Sequence, residues 1–183
     1  MDSTNFSSAM ETFHPFYSLL GEAAATLLGL LFVSVTFNPQ ILDSTSRAIQ
    51  RRYAENIFRQ FFFLVWLSLM MLLPMTPSEL GWNVLIQSLF FLIWVLIGFC
   101  RSLGTPDFFK NRLMRQSYLF NFAIYAGAIW AGFTFVGAKP DQSYSFALLL
   151  SVSFLSLLSG LAGVWRLMVS SREPKPAASD SSP

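Results

Sequence analysis

Five long apolar stretches, separated by short polar segments, dominate the pattern of hydrophobic and polar positions along the chain. A helix that crosses about 30 Å of hydrocarbon needs about 20 predominantly apolar residues, because each backbone N–H and C=O must find its partner within the helix. The stretches that meet this requirement are residues 15–37, 59–77, 80–100, 117–137 and 144–168. The pattern therefore predicts an all-α fold, a bundle of five transmembrane helices.

Short polar links join some of these stretches into hairpins. Residues 75–80 and 137–143 form such links, so the second and third spans, and the fourth and fifth, are predicted to be antiparallel neighbours. Pro74 and Pro77 mark the end of the second span, because proline lacks the N–H that a helix needs. We expect residues 1–169 to form the transmembrane domain and the Ser- and Pro-rich residues 170–183 to be a disordered tail.

The composition supports a membrane protein. Of 183 residues, 54% are hydrophobic and only 12% are charged, whereas about a quarter of the residues of a soluble domain are charged. The formal net charge of +2 does not indicate nucleic acid as a partner. The single cysteine, Cys100, excludes an intrachain disulfide and a cysteine-based metal site within one copy.

The distribution of basic residues predicts the orientation in the membrane. Eleven of the twelve Lys and Arg residues lie on one side of the predicted spans, and Lys139 alone lies on the other. Basic residues near the ends of spans are retained in the cytoplasm, so we expect the N-terminus outside and the C-terminus in the cytoplasm. A cleaved signal peptide is not expected, because residues 1–14 contain no Lys or Arg.

The two links on the basic side are helical in character. Between the first and second spans, Arg47, Arg51, Glu55 and Arg59 recur every four residues, which predicts an ion-paired stripe on one helix face. A second helix is predicted to start at Thr105 and to continue into the fourth span. The residues expected to face lipid headgroups or a protein partner are Arg47, Arg51, Arg52, Arg112 and Arg115.

Glu22 is the only ionisable residue well inside a predicted span. An acid costs roughly 2.5 to 3.5 kcal/mol at the bilayer centre and less toward its surface, so burial against other helices is expected. Gly21, Ala25 and Gly29 have the small-xxx-small spacing that permits close helix approach. Thr26 follows one turn later, and Gln87 is expected at a similar depth; with Glu22 these two form the predicted intramembrane polar site.

Two interpretations of these polar positions stay open. Glu22 is either a hydrogen-bonding group in a helix interface or part of an ion or proton path. Similarly, small residues in the fifth span favour close helix packing over the lining of a pore. These residues are Ser156, Gly160 and Gly163.

Enzyme signatures are missing from the sequence. It contains no phosphate-binding GxxxxGK[ST] loop, no dinucleotide-binding GxGxxG, no HExxH and no CxxC. We therefore expect no catalytic residues, no metal site and no cofactor.

Residues 21–42, GEAAATLLGLLFVSVTFNPQIL, carry a family resemblance. This segment resembles the first span of a group of small, mostly uncharacterised bacterial multi-span proteins, in which a Gly/Ala run precedes a G-L-L-F-V core and a short polar exit. Some members are labelled as modulators of a membrane-bound ATP-dependent protease. The resemblance implies a protein of the bacterial inner membrane.

Two functions are predicted from these observations. The first is an interaction or regulatory membrane protein whose basic cytoplasmic helices contact a partner or lipid headgroups. The second is a homo-oligomeric ion or proton channel, or a transport component, with Glu22 in the path. The second function requires several copies, because five spans are few for a monomeric transporter.

Overall fold

The computed structural model describes residues 3–37, 48–103, 112–137 and 142–170. These residues form five α-helices and no strand: α1 Ser3–Phe37, α2 Ala48–Leu72, α3 Pro77–Leu103, α4 Arg112–Val136 and α5 Gln142–Ser170. Each helix contains a segment long and apolar enough to cross a membrane. The predicted all-α fold with five spanning helices is confirmed, and the chain is a multi-pass membrane protein. The predicted helix start at Thr105 and the tail after residue 170 lie outside the described residues.

The turn between α2 and α3 follows from its local sequence. The helix α2 ends at Leu72, two residues before Pro74. The helix α3 begins with a capping box, in which the Thr76 N–H donates to Glu79 Oε2 at 2.8 Å and the Glu79 N–H donates to Thr76 Oγ1 at 3.4 Å. This short turn makes α2 and α3 an antiparallel hairpin, as the pattern predicted.

The helices α2 to α5 form an antiparallel four-helix bundle around an aromatic core. Phe91 of α3 lies at its centre, with its ring 5.4 Å from that of Phe63 in α2 and 6.0 Å from that of Tyr125 in α4. Phe135 of α4 and Phe146 of α5 meet edge to face at 5.0 Å. Since these rings are buried, they fix the relative register of the four helices.

The first helix, α1, lies against the outside of this bundle. The helix begins at Ser3, so it extends about twelve residues before the predicted span of residues 15–37. The reason is that Phe6, Met10 and Tyr17 recur at helical spacing and are buried, which extends the packing surface beyond the predicted span. The rings of Phe6 and Phe146 of α5 are 5.7 Å apart, and the rest of α1 packs mainly along α2.

Because successive helices are antiparallel, the described arginine side chains gather at one end of the molecule. We call this the basic end; it consists of the C-terminal parts of α1, α3 and α5 and the N-terminal parts of α2 and α4. The arginines at this end are Arg51, Arg52, Arg59, Arg101, Arg115 and Arg166. At the opposite end, the described charged side chains are Glu11 and Glu79.

Candidate functional site

Polar side chains are buried inside this apolar bundle, and several of them lie near the basic end. Three of them lie in the N-terminal half of α2 with side chains that are at most 6% exposed: Asn56, Arg59 and Gln60. Polar groups at membrane depth are costly unless they are hydrogen-bonded, so such clusters often mark functional sites.

Arg59 is a buried cation held by neutral groups. Its Nη1 donates to the Trp94 carbonyl at 3.2 Å, and its Nη2 donates to Asn56 Oδ1 at 3.0 Å. The guanidinium carbon also lies 5.9 Å from the centre of the Trp94 ring, a cation–π distance. No carboxylate in the described part of the chain forms an ion pair with Arg59. Its positive charge is therefore not neutralised within the described structure.

The predicted ion-paired stripe is right for one pair and wrong for Arg59. Arg51 and Glu55 form an exposed salt bridge of 3.0 Å. Arg59 is buried instead, because each step of four residues rotates about 40° around a helix of 3.6 residues per turn, and two steps from Arg51 reach the interior face.

A hydrogen-bonded relay connects Arg59 to the fourth helix. Asn56 accepts from Arg59 through Oδ1 and donates through Nδ2 to Ser117 Oγ at 2.8 Å. Asn121 Nδ2 donates to the Ser117 carbonyl at 2.9 Å, which fixes this turn of α4. The Ser117 hydroxyl accepts the bond from Asn56 and keeps its own proton to donate.

A cavity of about 560 Å³ adjoins this relay, between α2, α4 and α5. We call it the basic-end cavity; it is lined by Asn56, Ile57, Gln60, Gln116, Ser117, Leu119, Phe120, Ala123, Ser159, Ala162, Gly163 and Arg166. Its volume lies within the range typical of small-molecule sites, about 300–1,000 Å³. The described lining contains amides, hydroxyls and one guanidinium group but no carboxylate, so its polar groups suit an anion.

Gln60 is the most buried polar group of this lining. Its side chain is 2% exposed, and its Nε2 has no hydrogen-bond partner in the described structure. A buried donor without an acceptor costs about 1–3 kcal/mol.

The predicted intramembrane site on α1 is not assembled within one chain. Glu22 is exposed, and it accepts from Ser18 Oγ of its own helix at 3.4 Å. Thr26 Oγ1 donates to the Glu22 backbone carbonyl at 2.8 Å. Gln87 is buried in α3, where its Nε2 donates to the Phe63 carbonyl at 3.0 Å. The prediction that Glu22 is buried against other helices is therefore wrong for a single chain.

The reason is the direction in which α1 packs. It contacts α2 through Tyr17, Gly21 and Ala24, and Ser68 of α2 donates a hydrogen bond to the Tyr17 carbonyl. Glu22 follows Gly21 by one residue and so lies about 100° away around the helix. That rotation places its carboxylate on the outer surface of α1.

The small residues of α1 divide between the two faces. A Cβ at position 21 would lie 3.0 Å from Ser68 Cβ, so Gly21 permits close packing as predicted. Ala25 and Gly29 are exposed, and a Cβ at position 29 would have no heavy atom within 4 Å. The predicted packing stripe is wrong for these two residues, since the packed face continues through Ala24 instead.

The three small residues of α5 that the sequence singled out, Ser156, Gly160 and Gly163, are buried. A Cβ at position 160 would lie 2.8 Å from Cε1 of Phe61, so Gly160 permits the contact between α5 and α2. Ser156 is buried with no partner for its hydroxyl in the described structure, and Gly163 lines the basic-end cavity. Gly160 thus lies at a helix interface, the placement that close packing predicts, whereas Gly163 lines a cavity.

The basic residues proposed to face headgroups lie at the surface where they are described. Arg51 and Arg115 are exposed, and Arg52 is half-buried. Arg112 begins α4, but its side chain lies outside the described residues, as does the whole of Arg47. Among the described residues, no group of three or more metal-ligating side chains occurs, and Cys100 is exposed on α3.

Sequence reasoning missed the residues of the basic-end cavity. Asn56 and Gln60 are one helical turn apart at the start of the second span, and Gln116 and Ser117 begin the fourth span at the same end. This pairing of polar residues at two helix starts was the available signal. It did not show that the two starts face each other, because that depends on the rotation of each helix in the bundle.

The fold and the cavity define a class, a multi-pass helical membrane protein with a polar interior at one end. The chain matches no family model, no curated protein and no solved structure. The family resemblance of residues 21–42 stays a prediction.

Proposed function

We propose that this protein is an integral protein of the bacterial inner membrane that acts by interaction, through a basic end that faces the cytoplasm and contacts anionic lipid headgroups or a partner. The observation that carries this proposal is the convergence of six arginines at one end of the bundle. Basic residues at span ends are retained on the cytoplasmic side, which gives the N-terminus outside and the C-terminus inside.

Binding, rather than catalysis, is the role that these groups favour. Besides the Glu55 carboxylate, which is paired with Arg51, the polar groups described at the basic end are amides, hydroxyls and guanidinium groups. Such groups donate hydrogen bonds to anions, whereas nucleophilic catalysis needs a nucleophile beside a base.

The proposal is tested by the lipids that the protein retains. Purified protein in nanodiscs of mixed phosphatidylglycerol and phosphatidylcholine should enrich the anionic lipid around itself, and lipid mass spectrometry measures the ratio. Each surface arginine contributes about 1 kcal/mol of attraction to anionic lipid. The double variant Arg101→Gln/Arg115→Gln should therefore lose most of the enrichment, as should the unmodified protein at high salt.

A matched control uses the opposite end of the molecule. Glu11→Gln changes charge at an exposed position far from the basic end and should leave the enrichment unchanged. Equal enrichment in the double arginine variant and the unmodified protein would contradict the proposal.

The position of Glu22 supports a second candidate, a homo-oligomeric channel or transport component. Its carboxylate lies exposed on the surface of an apolar helix, beside the exposed small residues Ala25 and Gly29. A path that uses this carboxylate would have to form between copies, because Gln87 is buried elsewhere in the chain.

A further inference from the structure

We propose that the basic-end cavity is a specific site for the phosphate group of one anionic glycerophospholipid, drawn from the leaflet at the basic end. This inference rests on the proposed function and deepens it, because it names one lipid-binding site within a general basic surface. The site differs from that surface in being a cavity, which the exposed Arg166 and the half-buried Ser117 line together.

The first argument is the supply of hydrogen-bond donors in the lining. The Ser117 hydroxyl accepts from Asn56 and so has a proton to donate. The guanidinium group of Arg166 lines the same cavity. A phosphate group carries several acceptor oxygens, and it can accept from both side chains at once.

The second argument is the sign of the charge around the cavity. Arg166 of α5 lines it and is exposed, and no carboxylate is among the described lining residues. Arg59 lies behind the relay, where its unneutralised charge polarises Asn56 toward Ser117. The charge among the described lining residues is therefore positive, which favours an anion over a neutral or cationic ligand.

The third argument is the apolar part of the lining, which favours a lipid over a soluble anion. Leu119 and Phe120 of α4 are 63% and 41% exposed and lie next to the polar residues of the cavity. Trp165, beside Arg166, is also exposed, and tryptophan prefers the level of the headgroups. A lipid bound with its phosphate at Ser117 and Arg166 would place its acyl chains against these apolar side chains.

Native mass spectrometry of the full chain in detergent tests this site. Titration with dioleoyl phosphatidylglycerol should show one tightly bound lipid, and dioleoyl phosphatidylcholine should bind at least about tenfold more weakly. Arg166→Gln removes an exposed charge. It should weaken the binding of phosphatidylglycerol by about tenfold, the effect of losing one charge-assisted hydrogen bond. Ser117→Ala, which changes no charge and removes the hydroxyl donor, should weaken this binding by about fivefold.

Controls separate this site from the general basic surface. Arg101→Gln lies at the same end but outside the cavity lining, so it should leave the tight lipid in place. Arg166→Gln changes an exposed side chain, so misfolding would not explain a loss of lipid binding in this variant. Inorganic phosphate and glycerol 3-phosphate at millimolar concentration should fail to displace the lipid, since they lack the acyl chains.

Distinct results would overturn the site and the proposed function. Unchanged phosphatidylglycerol binding in both Arg166→Gln and Ser117→Ala, or equal binding of the two lipids, would exclude the site. Displacement by inorganic phosphate would exclude a lipid as its ligand. Weaker binding of the single tight lipid in Ser117→Ala, with unchanged enrichment in Arg101→Gln/Arg115→Gln, would support the site and refute the proposed general surface.

Discussion

At the scale of single residues, the buried cation at position 59 is the least expected feature of the molecule. Removing an ion from water is costly, and within the described residues the offset comes from two hydrogen bonds and an aromatic ring rather than from an acid. This arrangement leaves the positive charge available to its surroundings. Asn56 links this charge to α4. Its side-chain oxygen accepts from Arg59, and its side-chain nitrogen donates to Ser117.

The first prediction follows from this pair. Asn56→Leu should lower the free energy of unfolding by about 2 kcal/mol, because it leaves a buried guanidinium N–H without its acceptor. Adding Arg59→Met should restore part of this loss, since the unpaired donor is then removed as well. Reversible unfolding in mixed micelles, followed by circular dichroism, measures both variants.

The exposed neighbour Gln116 provides the control for this prediction. Gln116→Leu should change the unfolding free energy by less than about 0.5 kcal/mol. If the effects of Asn56→Leu and Arg59→Met simply add, the two side chains are not energetically coupled, and the relay would lose its physical basis.

At the scale of the helices, glycine matters where two of them approach closely. Gly160→Ala should destabilise the protein by about 1–3 kcal/mol, because its Cβ would meet the buried ring of Phe61. Gly29→Ala adds the same methyl group to an open surface and should be neutral or slightly stabilising. Equal losses in the two variants would show that space at position 160 is not what fixes the contact between α5 and α2.

A prediction on α1 tests whether copies associate through its outer face. Glu22→Gln keeps the shape of the side chain and removes its ionisable group. If Glu22 lies in a path between copies, proton flux into proteoliposomes, measured with an enclosed pH dye, should fall by at least about tenfold in this variant. The exposed control Thr36→Ala, at the other end of the same helix, should leave the flux unchanged.

Flux is also the measurement that separates the two candidate functions. An interaction protein should give no flux above empty liposomes, with or without the Glu22 substitution. Flux in the unmodified protein that persists in Glu22→Gln would contradict the path assigned to Glu22.

At the scale of the whole molecule, the antiparallel order of the helices decides where charge accumulates. A topology prediction follows, to be made in a Cys100→Ser background so that one thiol is present at a time. A membrane-impermeant maleimide added to intact cells should label Ser78→Cys at the opposite end. It should label Leu103→Cys at the basic end only after the cells are opened. Labelling of both thiols in intact cells, or of Leu103→Cys alone, would refute the orientation.

The fold was more predictable from the sequence than the candidate site was. Length and hydropathy were sufficient for the five spans, because lipid forces the backbone to satisfy its own hydrogen bonds. The turn at Thr76 and the packing role of Gly21 and Gly160 also follow from local patterns. The burial of Glu22 was predicted wrongly because an apolar span has no strong polar face. Its sequence pattern therefore does not show which side of the helix packs against protein.

The sequence by itself determined the number of helices, their alternation and the segregation of basic residues, since each depends on short-range composition and on the cost of moving polar groups into lipid. Only the tertiary structure decided that Arg59 turns inward, that Glu22 turns outward, and that polar groups of α2, α4 and α5 enclose one cavity. The physical reason is that these facts depend on how each helix is rotated about its axis. That rotation is set by contacts between side chains far apart in the chain.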